Sequence, residues 1–207
     1  MARGKSSARK QQTKEQSRSR ETQDKIITAA ITLLSRHGVS GVTHRSVAEE
    51  AGVSLALTTY HFDSKEALLR KAYQKLYLDE VARFNDIYRT FDAPTLSKEE
   101  IIDHISTQFI REATEFKEQA VAGCELMIEA FRSKELNAAA KKVYEEKSKF
   151  WYETVETLGA EHAELDSQIM LCSTLGNFLA LIARGKTGAE LSKTRKRIQD
   201  DFDALLP

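Results

Sequence analysis

Gly38-Val-Ser-Gly-Val-Thr-His-Arg-Ser-Val-Ala-Glu-Glu-Ala-Gly-Val-Ser-Leu-Ala-Leu-Thr-Thr-Tyr-His-Phe-Asp-Ser-Lys-Glu-Ala-Leu-Leu69 decides the fold. Thr43 is a good N-cap for a helix that ends near Ala51. Gly52-Val53-Ser54 reads as a three-residue turn, with Gly52 free to take positive φ. Ser54 can cap a second short helix over about residues 55–61. Asp63 or Ser64 opens a third, longer one. Two short helices around a three-residue turn are the layout of a helix-turn-helix DNA reader. Ala48, Val53, Thr58, Phe62 and Leu69 form the small core that would fix the angle between those helices. Thr58 is out of place in that set, because a buried hydroxyl needs a partner.

Outward from this stretch, helical periodicity continues in both directions. Ile26, Ala30, Leu33, Leu34 and His37 mark one face of a helix over about residues 21–37, which Gly38 stops. After the motif the apolar repeat runs on as a long helix until Pro94 ends it. Ser97 with Glu100 three residues later is a capping box. It opens a helix whose apolar stripe is Ile101, Ile105 and Phe109, and further helices follow over about residues 118–131, 134–158, 163–184 and 189–206, with residues 185–188 as a linker. The helix over 163–184 is apolar all round, which predicts burial on every side. Its own core would cover one side and a second subunit the other. With only two prolines and nine glycines in 207 residues, few breakers interrupt these runs. The expected fold is all-α. Residues 21–75 would form the DNA-binding domain and residues 76–207 a helical regulatory and dimerisation domain.

The formal net charge is zero, but the charges are not evenly spread. Residues 1–75 carry 14 Lys+Arg against 7 Asp+Glu, a balance of +7; residues 76–207 carry 17 against 24, a balance of −7. A basic first third suits a DNA-facing module, and an acidic remainder suits a part that stays off DNA. Residues 1–20 hold Arg3, Lys5, Arg9, Lys10, Lys14, Arg18 and Arg20 against Glu15 alone. They are too polar to fold by burial, so a disordered arm is expected. Such an arm either follows phosphates or is a solvated tail. Cys124 and Cys172 stand apart from each other, and the histidines are scattered. No metal site, disulfide framework or cofactor motif follows from them. No apolar leader is present, and the run over residues 169–183 is too short to span a bilayer. A cytoplasmic protein with no membrane partner is expected.

Each candidate DNA contact has a physical reason. Thr43 and His44 open the first helix of the motif, where free N–H groups and the positive dipole end favour phosphate. Arg45 is long enough to fork onto a guanine. Its rival role is an i,i+4 ion pair with Glu49. On the second helix, Ser54, Leu55, Ala56, Leu57, Thr59, Tyr60 and His61 include the groove-facing set. The three apolar residues among them suit thymine methyl groups. Tyr60 and His61 could equally be ordinary surface residues. Lys65 suits a phosphate.

Residues 21–75 resemble the DNA-binding domain of the tetracycline-repressor (TetR/AcrR) family of bacterial regulators. The matching pieces are Ile26-Ile-Thr-Ala-Ala30, Gly38, Thr43, Val47-Ala48, Ala51-Gly52-Val53-Ser54, Tyr60-His61-Phe62 and Ser64-Lys-Glu-Ala-Leu-Leu69. Two positions depart from the family's usual spelling. Ala56 stands for a glycine, and Thr59 stands where a tyrosine is usual, with the ring one place later at Tyr60. The resemblance implies an all-helical homodimer on a palindromic double-stranded operator, with a small-molecule effector bound in the C-terminal domain. The dimer would form through helices about 134–158 and 163–184. His104, Phe109, Cys124, Glu125, Met127, Phe131, Trp151 and Asn177 are the effector candidates, by residue type and by an expected inward position. A ligand-responsive repressor is therefore the leading expectation. A DNA-binding regulator without a ligand, and an activator, stay open. Nothing resembling a phosphate loop, a nucleophile elbow or a zinc-protease motif is present, so no catalytic residues are assigned and an enzyme is not expected.

Overall fold

The computed structural model describes residues 3–91, 96–185 and 187–206. All regular structure among them is helical: α1 (Arg3–His37), a 3-10 turn (Val39–Gly41), α2 (His44–Ala51), α3 (Leu55–His61), α4 (Lys65–Phe91), α5 (Lys98–Thr114), α6 (Lys117–Glu129), α7 (Lys134–Thr157), α8 (Ala163–Arg184) and α9 (Gly188–Leu205). The expected stop at Pro94 lies outside the described residues, as does part of the 185–188 linker. The chain forms two compact units. One comprises Met1–Lys75 with Val121–Asn137, the other Leu76–Ala120 with Ala138–Pro207.

In the first unit, α1 buries Ile26, Ile27, Ala30, Ile31, Leu33 and Leu34 and packs on α2. Val42, Val47, Phe62, Leu68 and Ala72 complete a buried core with Ala122 and Leu126 of α6. The N-terminal residues differ from the sequence reading. Where a disordered arm is expected, α1 runs unbroken from Arg3. Arg, Lys, Gln and Ala are good helix formers and no proline interrupts them. A helix already nucleated by the packed Ile26–Leu34 face can therefore propagate backwards through a polar stretch.

The second unit is tied by side chains as well as by apolar packing. Arg83 of α4 donates to both carboxylate oxygens of Glu112 on α5, Nε at 2.6 Å and Nη2 at 2.8 Å. Gln108 Nε2 adds a third bond to Oε1 at 2.8 Å, and the guanidinium lies 4.3 Å from the Phe116 ring centroid. Trp151 of α7 meets Phe202 of α9 at 6.3 Å between centroids. Arg195 of α9 reaches Asp103 of α5 at 2.5 Å.

α8 is two-faced. Met170, Thr174, Phe178 and Leu181 point inward and are buried. Leu165, Ile169, Leu175, Leu179 and Ile182 are exposed. The helix packs against α9 and α5, and the described residues leave these outward apolar side chains exposed. By length and composition alone, the 22 residues of the whole helix would suffice to cross a membrane. The buried half of the helix carries Asp166, Ser167 and Thr174 against its own unit.

Candidate nucleic-acid interface

The helix-turn-helix is assembled by local hydrogen bonds. Thr43 Oγ1 accepts from Ser46 N at 3.0 Å, and Ser46 Oγ accepts from Thr43 N at 2.9 Å. The Ser46 hydroxyl also donates to Gly41 O at 2.8 Å. α2 is thereby locked to the turn that precedes it. Ser46 is the residue that sequence reading passed over, although Thr-x-x-Ser is a short variant of the capping box. Gly52 sits at φ 64°, ψ 35°, and Val53 N donates to Ala48 O at 3.0 Å. This left-handed residue closes α2 and turns the chain into α3, whose N-cap Ser54 accepts from Leu57 N at 3.3 Å. Thr58 is fully buried and its hydroxyl is satisfied: it donates to Leu55 O at 2.8 Å and lies 3.4 Å from His44 O. That second contact joins α3 to the start of α2.

With Thr58 and Phe62 inward, the remaining α3 side chains point outward. Leu55 is 45% exposed, Leu57 40% and Tyr60 79%. Ser54, Ala56 and Thr59 are also exposed, and His61 is half-buried. The His61 ring meets Tyr60 edge-on at 5.2 Å. Thr59 returns its hydroxyl to the helix, 3.1 Å from Ala56 O and 3.2 Å from Leu55 O, so its methyl is the part it offers outward. Thr43 is exposed, with its hydroxyl engaged in the cap. His44 is half-buried, and its Nδ1 is buried without a hydrogen-bond partner.

Arg45 is exposed. The alternative pair with Glu49 does not form, because no ion pair engages either residue. Lys65 differs from its expected freedom. Its Nζ donates to Val39 O at 2.7 Å, so the ammonium braces the 3-10 turn. An ammonium has three donors, and two remain.

The effector candidates divide between the two units. Cys124, Glu125, Met127 and Phe131 fall in the first unit and His104, Phe109, Trp151 and Asn177 in the second. The inward position expected of them fails for three. His104 is exposed, with Nδ1 2.7 Å from Glu100 O; Met127 is 37% exposed; Phe131 is 90% exposed. His104 and Met127 lie on the outer sides of α5 and α6, whose opposite sides supply the core, and Phe131 lies in the turn after α6, so residue type misjudged their positions. Phe109 and Trp151 are buried. Asn177 lines an open cleft of about 370 Å³ with Ser173, Gly176, Arg197, Asp200 and Asp201. There Asn177 Nδ2 donates to Ser173 Oγ at 3.2 Å, and Ser173 donates to Asp201.

The first unit is a helix-turn-helix domain, carried on a chain that is otherwise helical. Residues 26–72 match the bacterial regulatory proteins of the tetR family, a match confined to the helix-turn-helix part of the chain. It is 49% identical over 57 residues to the HTH-type transcriptional regulatory protein RaaS of Mycobacterium tuberculosis, covering 28% of this chain and 26% of RaaS. It is 37% identical over 54 residues to the biofilm operon icaADBC HTH-type negative transcriptional regulator IcaR of Staphylococcus epidermidis, covering 26% of this chain and 29% of IcaR. The chain thus spans under a third of the length of these two curated relatives. Among solved structures, the multidrug binding protein EbrR complexed with imidazole superposes with a TM-score of 0.62 at 21% identity, over 86% of this chain and 93% of EbrR. That likeness is one of fold.

Proposed function

We propose that this protein is a sequence-specific DNA-binding transcriptional regulator, acting as a ligand-responsive repressor on a palindromic operator. One observation carries the reading: α3 exposes Leu55, Ala56, Leu57 and Tyr60 on a braced helix-turn-helix, and the uncommitted Arg45 stands at the start of α2. Arg45 forks onto a guanine, the α3 apolar residues meet thymine methyls, and Tyr60 with Thr43, His44 and Lys65 contacts phosphate. Ser54, Thr59 and His61 flank the same face. The protein works in the cytoplasm and has no membrane role.

A homodimer follows from α8, whose outward apolar residues need cover and which would supply the second copy's matching face. α7 contributes only Tyr144 and Tyr152 to the exposed large apolar set, so α8 dominates the pairing. Repression is supported by the negative regulation that IcaR's name records, and a small-molecule effector by EbrR, a multidrug binding protein. An effector releases DNA by favouring a dimer whose α3 helices are wrongly spaced.

Selection of genomic fragments by the purified protein, followed by footprinting, tests the reading. A palindrome with half-sites about one helical turn or a multiple apart is expected. Recovery of random sequence would sink it. The effector part is tested separately by screening metabolites for loss of operator binding; if no saturating compound alters affinity, the regulator works without a ligand.

A further inference from the structure

The basic segment ahead of the helix-turn-helix is a helix and not a loose tail, and it extends the core helix α1 of the same unit that holds α2 and α3. We infer that residues 3–20 form a helical cationic strut that lies along the DNA backbone beside the base-reading site and lengthens the footprint. This rests on the DNA-binding reading above and goes beyond it.

Three observations carry it. First, the segment holds seven cations, Arg3, Lys5, Arg9, Lys10, Lys14, Arg18 and Arg20, against one anion, Glu15. That excess is far denser than in the remainder of the unit. Second, Lys14, Arg18 and Arg20 are exposed, with Gln16, Ser17 and Ser19 between them. The segment has no apolar face that could lie in a membrane or a protein groove. Third, its sequence places like charges at i,i+4 three times, Lys5 with Arg9, Lys10 with Lys14, and Lys14 with Arg18. Such pairs destabilise a helix in isolation. A row of phosphates removes that repulsion and supplies the missing anions, so binding and helix stability reinforce each other. The 18 residues span about 27 Å at ~1.5 Å per residue, comparable with about eight base pairs at ~3.4 Å each. Backbone contacts of this kind add affinity and position without reading sequence.

The test uses the full chain, a form beginning at Glu21, and a full-length variant with all seven cations changed to glutamine, which preserves length and helix propensity. Binding to a long random-sequence duplex is measured from 50 to 200 mM salt, with circular dichroism on each form. Both altered forms are expected to keep the core fold and to show a shallower salt slope, by about 0.9 for each phosphate lost. For three phosphates, the affinity advantage of the full chain falls roughly 40-fold across that range. An equal slope for all three forms overturns the strut while leaving the DNA reading intact. A weaker truncated form with an unchanged glutamine variant also overturns it, because charge would not be the carrier. Unchanged duplex binding with loss of binding to anionic vesicles would make the segment a membrane contact instead. Failure of the full chain to bind any duplex removes the DNA reading itself.

Discussion

Arg45 and Lys65 are both exposed enough to meet DNA, yet the protein uses them differently. Among the described residues Arg45 has no ion-pair partner, so its guanidinium is available to DNA. Arg45→Ala should leave thermal stability unchanged and reduce discrimination at one base position. A bidentate contact is worth ~1–3 kcal/mol, and competition among operators varied one base at a time measures it. Uniform weakening across all variants would instead assign Arg45 to phosphate. Lys65 braces Val39 O at 2.7 Å, so Lys65→Ala carries two costs. Loss of the hydrogen bond should destabilise the unit by ~1 kcal/mol, read as a small drop in melting temperature. Loss of a phosphate contact should lower the salt slope by about one, equally for all sequences. A lowered melting temperature with an unchanged slope would make Lys65 a structural residue only.

At the scale of elements, boundaries were legible wherever a cap or a breaker marks them. Thr43, Gly52, Ser54 and the Ser97–Glu100 box each stand where the helices α2, α3 and α5 begin or end, because caps act through local hydrogen bonds that sequence spacing fixes. The start of α1 was not legible: polar residues say nothing about whether a neighbouring packed segment will propagate a helix into them. Nor were the faces of α5 and α6, since His104 and Met127 suit a pocket by type while the opposite faces supply the core. Long-range pairs were invisible for the same reason. Arg83 and Glu112 lie 29 residues apart, yet their side chains are only 18% and 11% exposed. Glu112→Ala strands a largely buried guanidinium and should cost ~3 kcal/mol or more. Replacing both, as Arg83→Met with Glu112→Leu, should recover most of that loss, because neither charge then remains to be desolvated. Denaturant unfolding of the single and double variants decides it: additive losses would mean that the two residues act independently.

For the whole molecule, α8 is the element whose composition exceeds the needs of one chain. Met170, Phe178 and Leu181 already supply its buried face, so Leu165, Ile169, Leu175, Leu179 and Ile182 must be covered by something else or remain a liability for aggregation. A two-fold partner covers them most economically, since one stripe then serves both copies. In the proposed dimer, operator affinity would depend on that pairing, because two linked reading helices bind a palindrome far more tightly than one. Leu179 is 49% exposed and contributes little to its own chain's core. Leu179→Glu should therefore leave monomer folding intact while placing two like charges in an apolar interface. Analytical ultracentrifugation should show a dimer for the unaltered protein and a monomer for the variant, and operator affinity should fall by at least 100-fold, with the helical circular dichroism retained. Leu179→Met, which keeps volume and polarity, should leave both properties unchanged. A Leu179→Glu protein that stays dimeric would move the interface off this face of α8, and one that is monomeric yet binds the palindrome at full strength would separate dimerisation from DNA recognition.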